Sequence, residues 1–339
     1  MRDILLKLSR REDLTRDEAR EAFEVVTSGQ ASEAQIGGLL IGLASKGTTA
    51  EELIGAASVM REKSIPVDCA AAASDGVILD TCGTGGDVRG TFNISTAAAI
   101  IAASAGARVV KHGNRSASGR SGSADVLEKL GVAIELPPER MTRCIGEANI
   151  CFAFARSHHP AAKHVAAART SLGIPTIFNL LGPLTNPARA KHQLLGVFAP
   201  ELTDRFATVL RALGSVRAWV VNAMDGLDEI STLGPTRVSE LRDGEIHSRT
   251  IDPRDFGIVY ARLSDLQADT ADESAHAIRA ILAGEKGPRH DIAVLNAAAA
   301  LVVAERAADL AAGLTLARQA IDSGAARRTL EMLVHHSNG

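Results

Sequence analysis

A glycine-rich turn at residues 83–86 has the composition of a binding site for an anion. The apolar run 77–79 ends at Asp80 and predicts a buried strand, and Gly83-Thr-Gly-Gly86 follows it. Glycine reaches positive φ and has no Cβ, so successive backbone N–H groups can close around an anion. Residues 93–96 (Asn-Ile-Ser-Thr) then begin an alanine-rich helix to about residue 105, whose N-terminus brings unpaired N–H groups and the positive end of its dipole.

A second predicted strand leads directly into polar and basic residues. Residues 108–110 are apolar enough to be a strand, and Lys111, His112, Asn114 and Arg115 come straight after them. Parallel strands of βαβ units end at the same edge of a sheet, so we expect three possible cations beside the glycine turn. Four hydroxyls follow in the same loop: Ser116, Ser118, Ser121 and Ser123. The spacing matches neither a P-loop nor the dinucleotide-binding G-x-G-x-x-G pattern.

Adjacent carboxylates follow a later predicted strand. Asp228 and Glu229 come after residues 218–222 on a loop that contains Gly226. Such a pair suits a hard cation such as Mg²⁺, which prefers oxygen ligands, although a solvated acidic turn is an equally good interpretation of these residues alone. His158 and His159 have no third ligand at a suitable spacing, which favours a structural pair at a helix entry over a metal site.

Composition limits the class of protein. The chain has 339 residues, 46% hydrophobic and 23% charged, with a formal net charge of −3. The slightly negative net charge argues against a nucleic-acid-binding surface. The length is sufficient for one large domain or two unequal domains. The four cysteines show no C-x-x-C pair, and Cys82 beside the glycine turn has no recognisable base, so we expect buried, reduced thiols. No signal peptide or membrane-spanning run is present, and we expect a cytoplasmic protein.

The hydrophobic pattern predicts a small helical domain followed by an α/β domain. Residues 1–65 contain three capping boxes, which begin at Thr15, Ser32 and Thr49, and residues 66–76 form a linker. We place the domains at 1–66, joined by helices around 160–190, and at 67–339. In the second domain strands alternate with helices, which predicts a mostly parallel central sheet flanked by helices.

The remaining predicted elements follow in order. The helices are 138–149, 160–172, 203–213 and several after Thr270, and the strands are 150–154, 175–178, 194–198 and 218–222, with a hairpin around Asp243-Gly244.

The polar segments, taken together, resemble the signature of the anthranilate phosphoribosyltransferase family, and the resemblance runs through nearly the whole chain. They are residues 83–87, 93–96, 111–115 and 121–125, followed by 159–160, 163–165, 178–187 and 225–231. The resemblance implies transfer of the phosphoribosyl group of phosphoribosyl pyrophosphate to anthranilate, with pyrophosphate released, in tryptophan synthesis. It also implies two Mg²⁺ ions per subunit and a homodimer formed through the helical domain, with no nucleic-acid or membrane partner.

The resemblance assigns roles to particular residues and to no general acid or base. The implied phosphoribosyl pyrophosphate site comprises Gly83, Gly86, Asp87, Thr91, Asn93, Ile94, Ser95, Thr96, Lys111, His112, Gly113, Asn114, Arg115, Ser116, Ala117, Ser118, Gly119 and Ser123. Gly83, Asn114 and Arg169 are the implied anthranilate ligands, and Ser95, Asp228 and Glu229 the implied metal ligands.

The chain also departs from the family pattern. Arg156 stands where Pro is usual, Gly119-Arg120 where Ser-Lys is common, and Asn222-Ala223 where His-Gly is common. These departures put acceptor preference in doubt and leave the reaction type intact. Two alternatives remain open on sequence: an enzyme like pyrimidine nucleoside phosphorylase, and a non-enzymatic relative that binds nucleic acid.

Overall fold

A computed structural model describes residues 1–69, 75–86, 89–116 and 121–339. The linker prediction therefore falls partly outside the described residues, as do Asp87, Ala117, Ser118, Gly119 and Arg120. The helices are α1 (Arg2–Ser9), α2 (Arg16–Thr27), α3 (Glu33–Lys46), α4 (Ala50–Glu62), α5 (Ile94–Ser104), α6 (Ser123–Leu130), α7 (Pro138–Ala148), α8 (Ala155–His158), α9 (Lys163–Leu172), α10 (Ile177–Leu181), α11 (Leu202–Ala212), α12 (Leu263–Leu266), α13 (Ala271–Leu282), α14 (Pro288–Val303), α15 (Leu310–Asp322) and α16 (Ala325–Asn338).

The amino-terminal helices begin where their capping boxes predict. The side chains of Thr15, Ser32 and Thr49 each accept a hydrogen bond from the backbone N–H three residues on. The side-chain oxygen of the acid or amide at that position in turn accepts from the backbone N–H of the capping residue. Glu52 does more than cap, because its buried carboxylate also accepts from Leu14 N at 2.8 Å and pairs with Lys46 at 2.8 Å. These contacts tie α3 and α4 to the chain before α2.

The described residues form one seven-stranded sheet in the order β3-β2-β1-β4-β5-β6-β7. Its strands are β1 (Leu79–Gly83), β2 (Val109–Gly113), β3 (Ile150–Phe154), β4 (His192–Gly196), β5 (Arg217–Ala223), β6 (Thr236–Arg242) and β7 (Glu245–Ile251). The first five are parallel and the last two form the antiparallel hairpin predicted at Asp243-Gly244. The prediction of a helical region followed by a mostly parallel sheet is confirmed. Parallel strands place their carboxyl ends at one edge, where the predicted polar residues meet.

Two hydrophobic cores lie on the two faces of this sheet. Side chains alternate along each strand, so Leu194 and Trp219 pack against α5 and the carboxyl-terminal helices while Leu195 and Val220 face the other way. The second core also contains buried residues of α2, α3, α4, α9, α10 and α11. The amino-terminal helices therefore share a continuous core with helices from the middle of the chain.

Two element predictions need correction. Residues 175–178 are not a strand: α10 begins at Ile177 and buries Ile177, Phe178 and Leu181. A short apolar run does not distinguish a strand from one buried helical turn, which explains the error. The strand predicted at 194–198 begins earlier, at His192, because its first residues pair with β1 and β5.

Among the described residues, no helix is both long enough and apolar enough to cross a membrane.

Candidate active site

A cavity of about 870 Å³ opens at the carboxyl edge of the parallel strands. It lies between the ends of β1, β2 and β4 and the loop that follows β5. The predicted site residues that line it are Gly83, Gly86, Thr91, Asn93, Ile94, Ser95, Lys111, His112, Gly113, Asn114, Arg115, Ser116, Ser123, Asp228 and Glu229. Thr96 is buried behind them, and Arg169 is not among the lining residues.

The glycine turn curls over the cavity and is held by the loop after β5. Gly85 and Gly86 adopt φ of +64° and +89°, which only glycine reaches without strain. The N–H of Thr84 donates to Gly196 O at 2.9 Å, and the N–H of Gly85 donates to Asp228 Oδ2 at 3.0 Å. We call the glycine turn of residues 83–86 and the first turn of α5 the cradle, and in this structure a carboxylate accepts from one of its backbone donors.

The two carboxylates lie beside both halves of the predicted cradle. Glu229 Oε1 accepts from the N–H of Ser95, in the first turn of α5, at 3.1 Å, while Asp228 reaches the glycine turn. Their loop approaches β4 so closely that a Cβ on Gly196 would lie 1.6 Å from Asp228 O. Among the described residues there is no cluster of three or more His, Cys, Asp and Glu side chains that could hold a metal without other ligands.

Lys111 is a buried cation beneath the cradle. Its Nζ donates to Ser95 Oγ at 3.1 Å and to Thr81 O. Burial lowers the pKa of Lys111, while the negative charges of Asp80, Glu229 and Asp228 oppose that shift. Burial likewise raises the pKa of Asp80, whose Oδ1 accepts from the N–H of His112 at 3.1 Å. The lysine thus brings positive charge to Ser95 from below the cavity floor.

His112 is not a cation, which corrects that part of the prediction. Burial lowers its pKa well below the ordinary value, so the ring is neutral at pH 7. Its Nδ1 lies 3.1 Å from Gly182 O and must donate, because a carbonyl oxygen only accepts. Its Nε2 then accepts from Nε2 of His159, 3.1 Å away, and burial lowers the pKa of His159 to about 4.

His158 and Cys82, the other two side chains whose chemistry the sequence analysis considered, both make structural contacts. His158 Nδ1 donates to Ile65 O at 2.9 Å, which agrees with the predicted structural role of this histidine pair. Cys82 is buried, burial raises the pKa of its thiol, and Gln193 Nε2 lies 3.0 Å from its Sγ. A thiol held protonated in this way does not act as a nucleophile.

Arg115 is engaged by carboxylates. Its NH1 lies 2.9 Å from Asp125 Oδ1 and its NH2 lies 2.8 Å from Glu128 Oε1. Glu128 and then Asp125 raise the pKa of Arg115. Asp125 Oδ2 also accepts from the N–H groups of Ser116 and Gly122, at 3.2 and 2.9 Å. In this structure Arg115 ties the loop to α6, so it presents less charge to the cavity than the sequence suggests.

Arg169 lies on α9, with its guanidinium 5.0 Å from the ring centroid of Phe178. Burial lowers its pKa. The sequence analysis missed five residues that line the cavity: Gly90, Phe92, Pro175, Asn179 and Phe198. Phe198 is 43% exposed at this edge of the sheet, and its place at the carboxyl end of the strand predicted at 194–198 is the sequence signal that could have identified it.

Where the chain departs from the family pattern within the described residues, the side chains do not line the cavity. Arg156 is exposed on α8, and neither Asn222 nor Ala223 lines the cavity. Asn222 is buried and its Nδ2 donates to Val197 O at 2.8 Å, which gives it a structural role between β5 and β4.

Comparisons with known proteins agree with this geometry. The helical bundle domain model of a glycosyl transferase family matches residues 2–64, and the a/b domain model of the same family matches residues 75–327. Anthranilate phosphoribosyltransferase of Methylobacterium nodulans is 51% identical over 98% of each chain. The chain belongs to the anthranilate phosphoribosyltransferase family. It is therefore an enzyme of the glycosyl transferase class, and the comparisons do not support the two alternatives left open by the sequence.

Solved structures of this family have the same fold. Anthranilate phosphoribosyltransferase from Thermus thermophilus is similar with a TM-score of 0.91 and 41% identity, over 99% of this chain and all of that one. The Saccharomyces cerevisiae enzyme in complex with phosphoribosyl pyrophosphate and Mg has a TM-score of 0.89 and 28% identity, over 99% of this chain and 97% of that one.

Proposed function

We propose that this family member transfers the phosphoribosyl group of phosphoribosyl pyrophosphate to anthranilate, with pyrophosphate as the leaving group, in the cavity described above. The observation that carries the proposal is the meeting of three features in one place. The glycine turn, the N-terminus of α5 and the Asp228-Glu229 pair all face the same space, which suits an anionic, metal-bound substrate.

The residues present fit Mg²⁺. Asp228 and Glu229 provide carboxylate oxygens and Ser95 a hydroxyl beside them, which is the oxygen-only donor set that Mg²⁺ prefers. We propose two ions per subunit, one held by the carboxylates and one by Ser95. Mg²⁺ bound there would neutralise charge on the departing pyrophosphate.

The chain's own groups would do the rest of the work on the leaving group. The N–H groups of Gly85 and Ser95 donate to Asp228 and Glu229 in this structure, and they would be freed to donate to pyrophosphate oxygens when those carboxylates hold Mg²⁺. Lys111 adds a positive charge below. The loop of residues 111–123 completes the phosphate and ribose contacts. As the C1′–O bond breaks, these fixed donors stabilise the charge that develops on the pyrophosphate.

No protein base is required for the acceptor. The aniline nitrogen of anthranilate is neutral and nucleophilic, so holding it against C1′ supplies much of the rate. We propose that Gly83, Asn114 and Arg169 bind anthranilate, with the guanidinium of Arg169 pairing with its carboxylate. That role requires Arg169 to reach the cavity from its place over Phe178.

The assembly is proposed from the amino-terminal helices. We infer that residues 1–66 form a domain together with helices from 160–190, because α9 and α10 contribute to the core that contains α2, α3 and α4. We also infer a homodimer through this domain. Leu6 and Ile41 support it, since they are 49% and 39% exposed on the helices α1 and α3.

The metal assignment is tested by replacing both carboxylates. Asp228→Ala with Glu229→Ala should lower kcat steeply and move the activity to higher Mg²⁺ concentrations, because a weakened site needs more metal to fill. The measurement is kcat against Mg²⁺ concentration, beside Mg²⁺ binding by calorimetry in the presence of phosphoribosyl pyrophosphate.

The control replaces exposed carboxylates elsewhere. Asp243→Ala with Glu245→Ala changes the same charge on the β6–β7 hairpin, far along the sheet from the cavity. This control variant should have the same kcat as the parent and the same dependence on Mg²⁺ concentration. Superimposable curves for the Asp228/Glu229 variant and the parent would refute the metal role.

A further inference from the structure

Ser274 is a fully buried hydroxyl on α13 that reaches the cavity wall from the carboxyl-terminal part of the chain. Its Oγ accepts from the backbone N–H of Asn93 at 2.9 Å and donates to Asn93 Oδ1 at 3.0 Å. Ser121 Oγ donates to the same Oδ1 at 3.1 Å. Asn93 itself lines the cavity at the entry to α5, so this cluster connects the cavity wall to α13.

These contacts determine which way the Asn93 amide faces. A hydroxyl has one proton, and the oxygen of Ser274 already accepts from Asn93 N–H, so its proton is available for the side chain. Oδ1 receives that proton and the proton of Ser121 as well, and turning the amide would leave both hydroxyl protons without an acceptor among the described residues. With Oδ1 bound to two hydroxyls, Nδ2 donates no hydrogen bond within the described part of the chain.

Ser274 is itself held firmly in place. The segment before Asn93 pairs with the segment before α13: Phe92 N donates to Leu266 O and Ala268 N donates to Gly90 O, both at 2.9 Å. Thr270 caps α13 through a hydrogen bond from Glu273 N at 3.1 Å. Because both ends of the Asn93–Ser274 contact are fixed by backbone hydrogen bonds, the amide has little freedom to turn.

Asn93 does not act as a conventional cap for the helix that it begins. Its side chain accepts no hydrogen bond from the first turn of α5, although asparagine is among the best residues for that purpose. The carbonyl oxygen that would cap the helix is instead committed to Ser274 and Ser121. The backbone N–H groups of the first turn have other acceptors: Ser95 N donates to Glu229 Oε1, and Thr96 N donates to Asn93 O. The side-chain amide is therefore the donor that Asn93 can offer to an anion.

We propose that Ser274 is a positioning residue for phosphoribosyl pyrophosphate: it orients the side-chain amide of Asn93 so that Nδ2 donates to the anionic substrate in the cavity. The proposal rests on the proposed function, since it takes phosphoribosyl pyrophosphate as the ligand. Ser274 touches no substrate, and its effect passes through Asn93 alone.

The test is the binding of phosphoribosyl pyrophosphate, measured by calorimetry with Mg²⁺, together with separate KM values for both substrates. Ser274→Ala should raise the Kd for phosphoribosyl pyrophosphate roughly 3- to 10-fold, the effect of one poorly oriented hydrogen bond, and leave the KM for anthranilate within about twofold. Asn93→Ala should raise that Kd roughly 10-fold or more, because a hydrogen bond to a charged group is lost.

A double-mutant cycle separates positioning from general damage. In the Asn93→Ala background, adding Ser274→Ala should change the Kd by less than about twofold, because the residue through which Ser274 acts is already gone. Asn93→Asp keeps an acceptor for both hydroxyls but replaces the donor with a carboxylate oxygen. It should weaken binding at least as much as Asn93→Ala, and it provides the test if Ser274→Ala does not fold.

Ser337→Ala is the matched control. Ser337 is also fully buried, accepts from Ala133 N at 3.1 Å and donates to Val334 O at 3.1 Å, but it belongs to α16, away from the cavity. It should lower stability as Ser274→Ala does and leave the Kd unchanged. Additive effects of Ser274→Ala and Asn93→Ala, or an unchanged Kd in either single variant or in Asn93→Asp, would overturn the proposal. A parent protein without transferase activity would instead overturn the proposed function.

Discussion

At the scale of residues, the site separates charges that the sequence places together. Lys111 keeps a position below the cradle, His112 is neutral through burial, and Arg115 is held by Asp125 and Glu128. The same basic cluster thus contains one buried cation, one hydrogen-bonding ring and one loop anchor. Side chains that share a short segment of sequence differ here because their burial and their carboxylate neighbours differ.

Arg169 offers the sharpest test of substrate assignment at this scale. Arg169→Ala should raise the KM for anthranilate by roughly 30-fold and that for phosphoribosyl pyrophosphate much less, because a charge-assisted hydrogen bond to the carboxylate is lost. Steady-state kinetics with each substrate varied in turn measures the difference. Lys163→Ala, an exposed cation on the same helix, is the control and should change neither KM. Equal increases in both KM values for Arg169→Ala would refute the assignment.

At the scale of elements, close contact between β4 and the loop after β5 positions the carboxylates. Gly196 ends β4, and Gly83 ends β1 beside it; a Cβ on Gly83 would lie 2.6 Å from Asp228 Oδ2. The absence of both side chains lets the acidic loop lie against the two strand ends. The placement of Asp228 and Glu229 at the cradle therefore depends on glycines that make no contact with substrate through a side chain.

Gly196→Ala should damage both stability and the site. The added Cβ would meet Asp228 O at 1.6 Å, a backbone atom that cannot turn aside, so we expect the free energy of unfolding to fall by about 3 kcal/mol or more. Gly146→Ala is the opposite case, since α7 has open space there, and it should raise stability by about 0.5–1 kcal/mol. Urea titration of both variants measures the changes. A Gly196→Ala protein as stable as the parent would contradict this packing.

The sequence predicted the elements better than it predicted their contacts. Capping boxes and the alternation of strands and helices predicted the two-part fold. Because parallel strands end at the same edge of a sheet, the sequence also predicted that residues 83–86, 111–115 and 228–229 meet there. The strand predicted at 175–178 was wrong because its apolar run is too short to show a period. The link from Ser274 to Asn93 has no local signal, since the two residues are 181 positions apart.

At the scale of the whole molecule, exposed apolar residues on α1 and α3 bear on assembly. We expect the protein to sediment as a dimer, at twice the 35.4 kDa of one chain, at micromolar concentration. Ile41→Asp should shift it toward monomer by placing a charge in the proposed interface. Val259→Asp changes a residue that is 82% exposed outside the helical region and should remain dimeric. If the parent protein sediments only as a monomer, the proposed homodimer is refuted.

The fluorescence of anthranilate provides the most direct test of the account. The purified protein, given anthranilate, phosphoribosyl pyrophosphate and Mg²⁺, should consume anthranilate, observed as loss of its fluorescence, and release an equal amount of pyrophosphate. Omission of either phosphoribosyl pyrophosphate or Mg²⁺ should stop both changes. Fluorescence that stays constant with folded protein and all three components would contradict the proposed function.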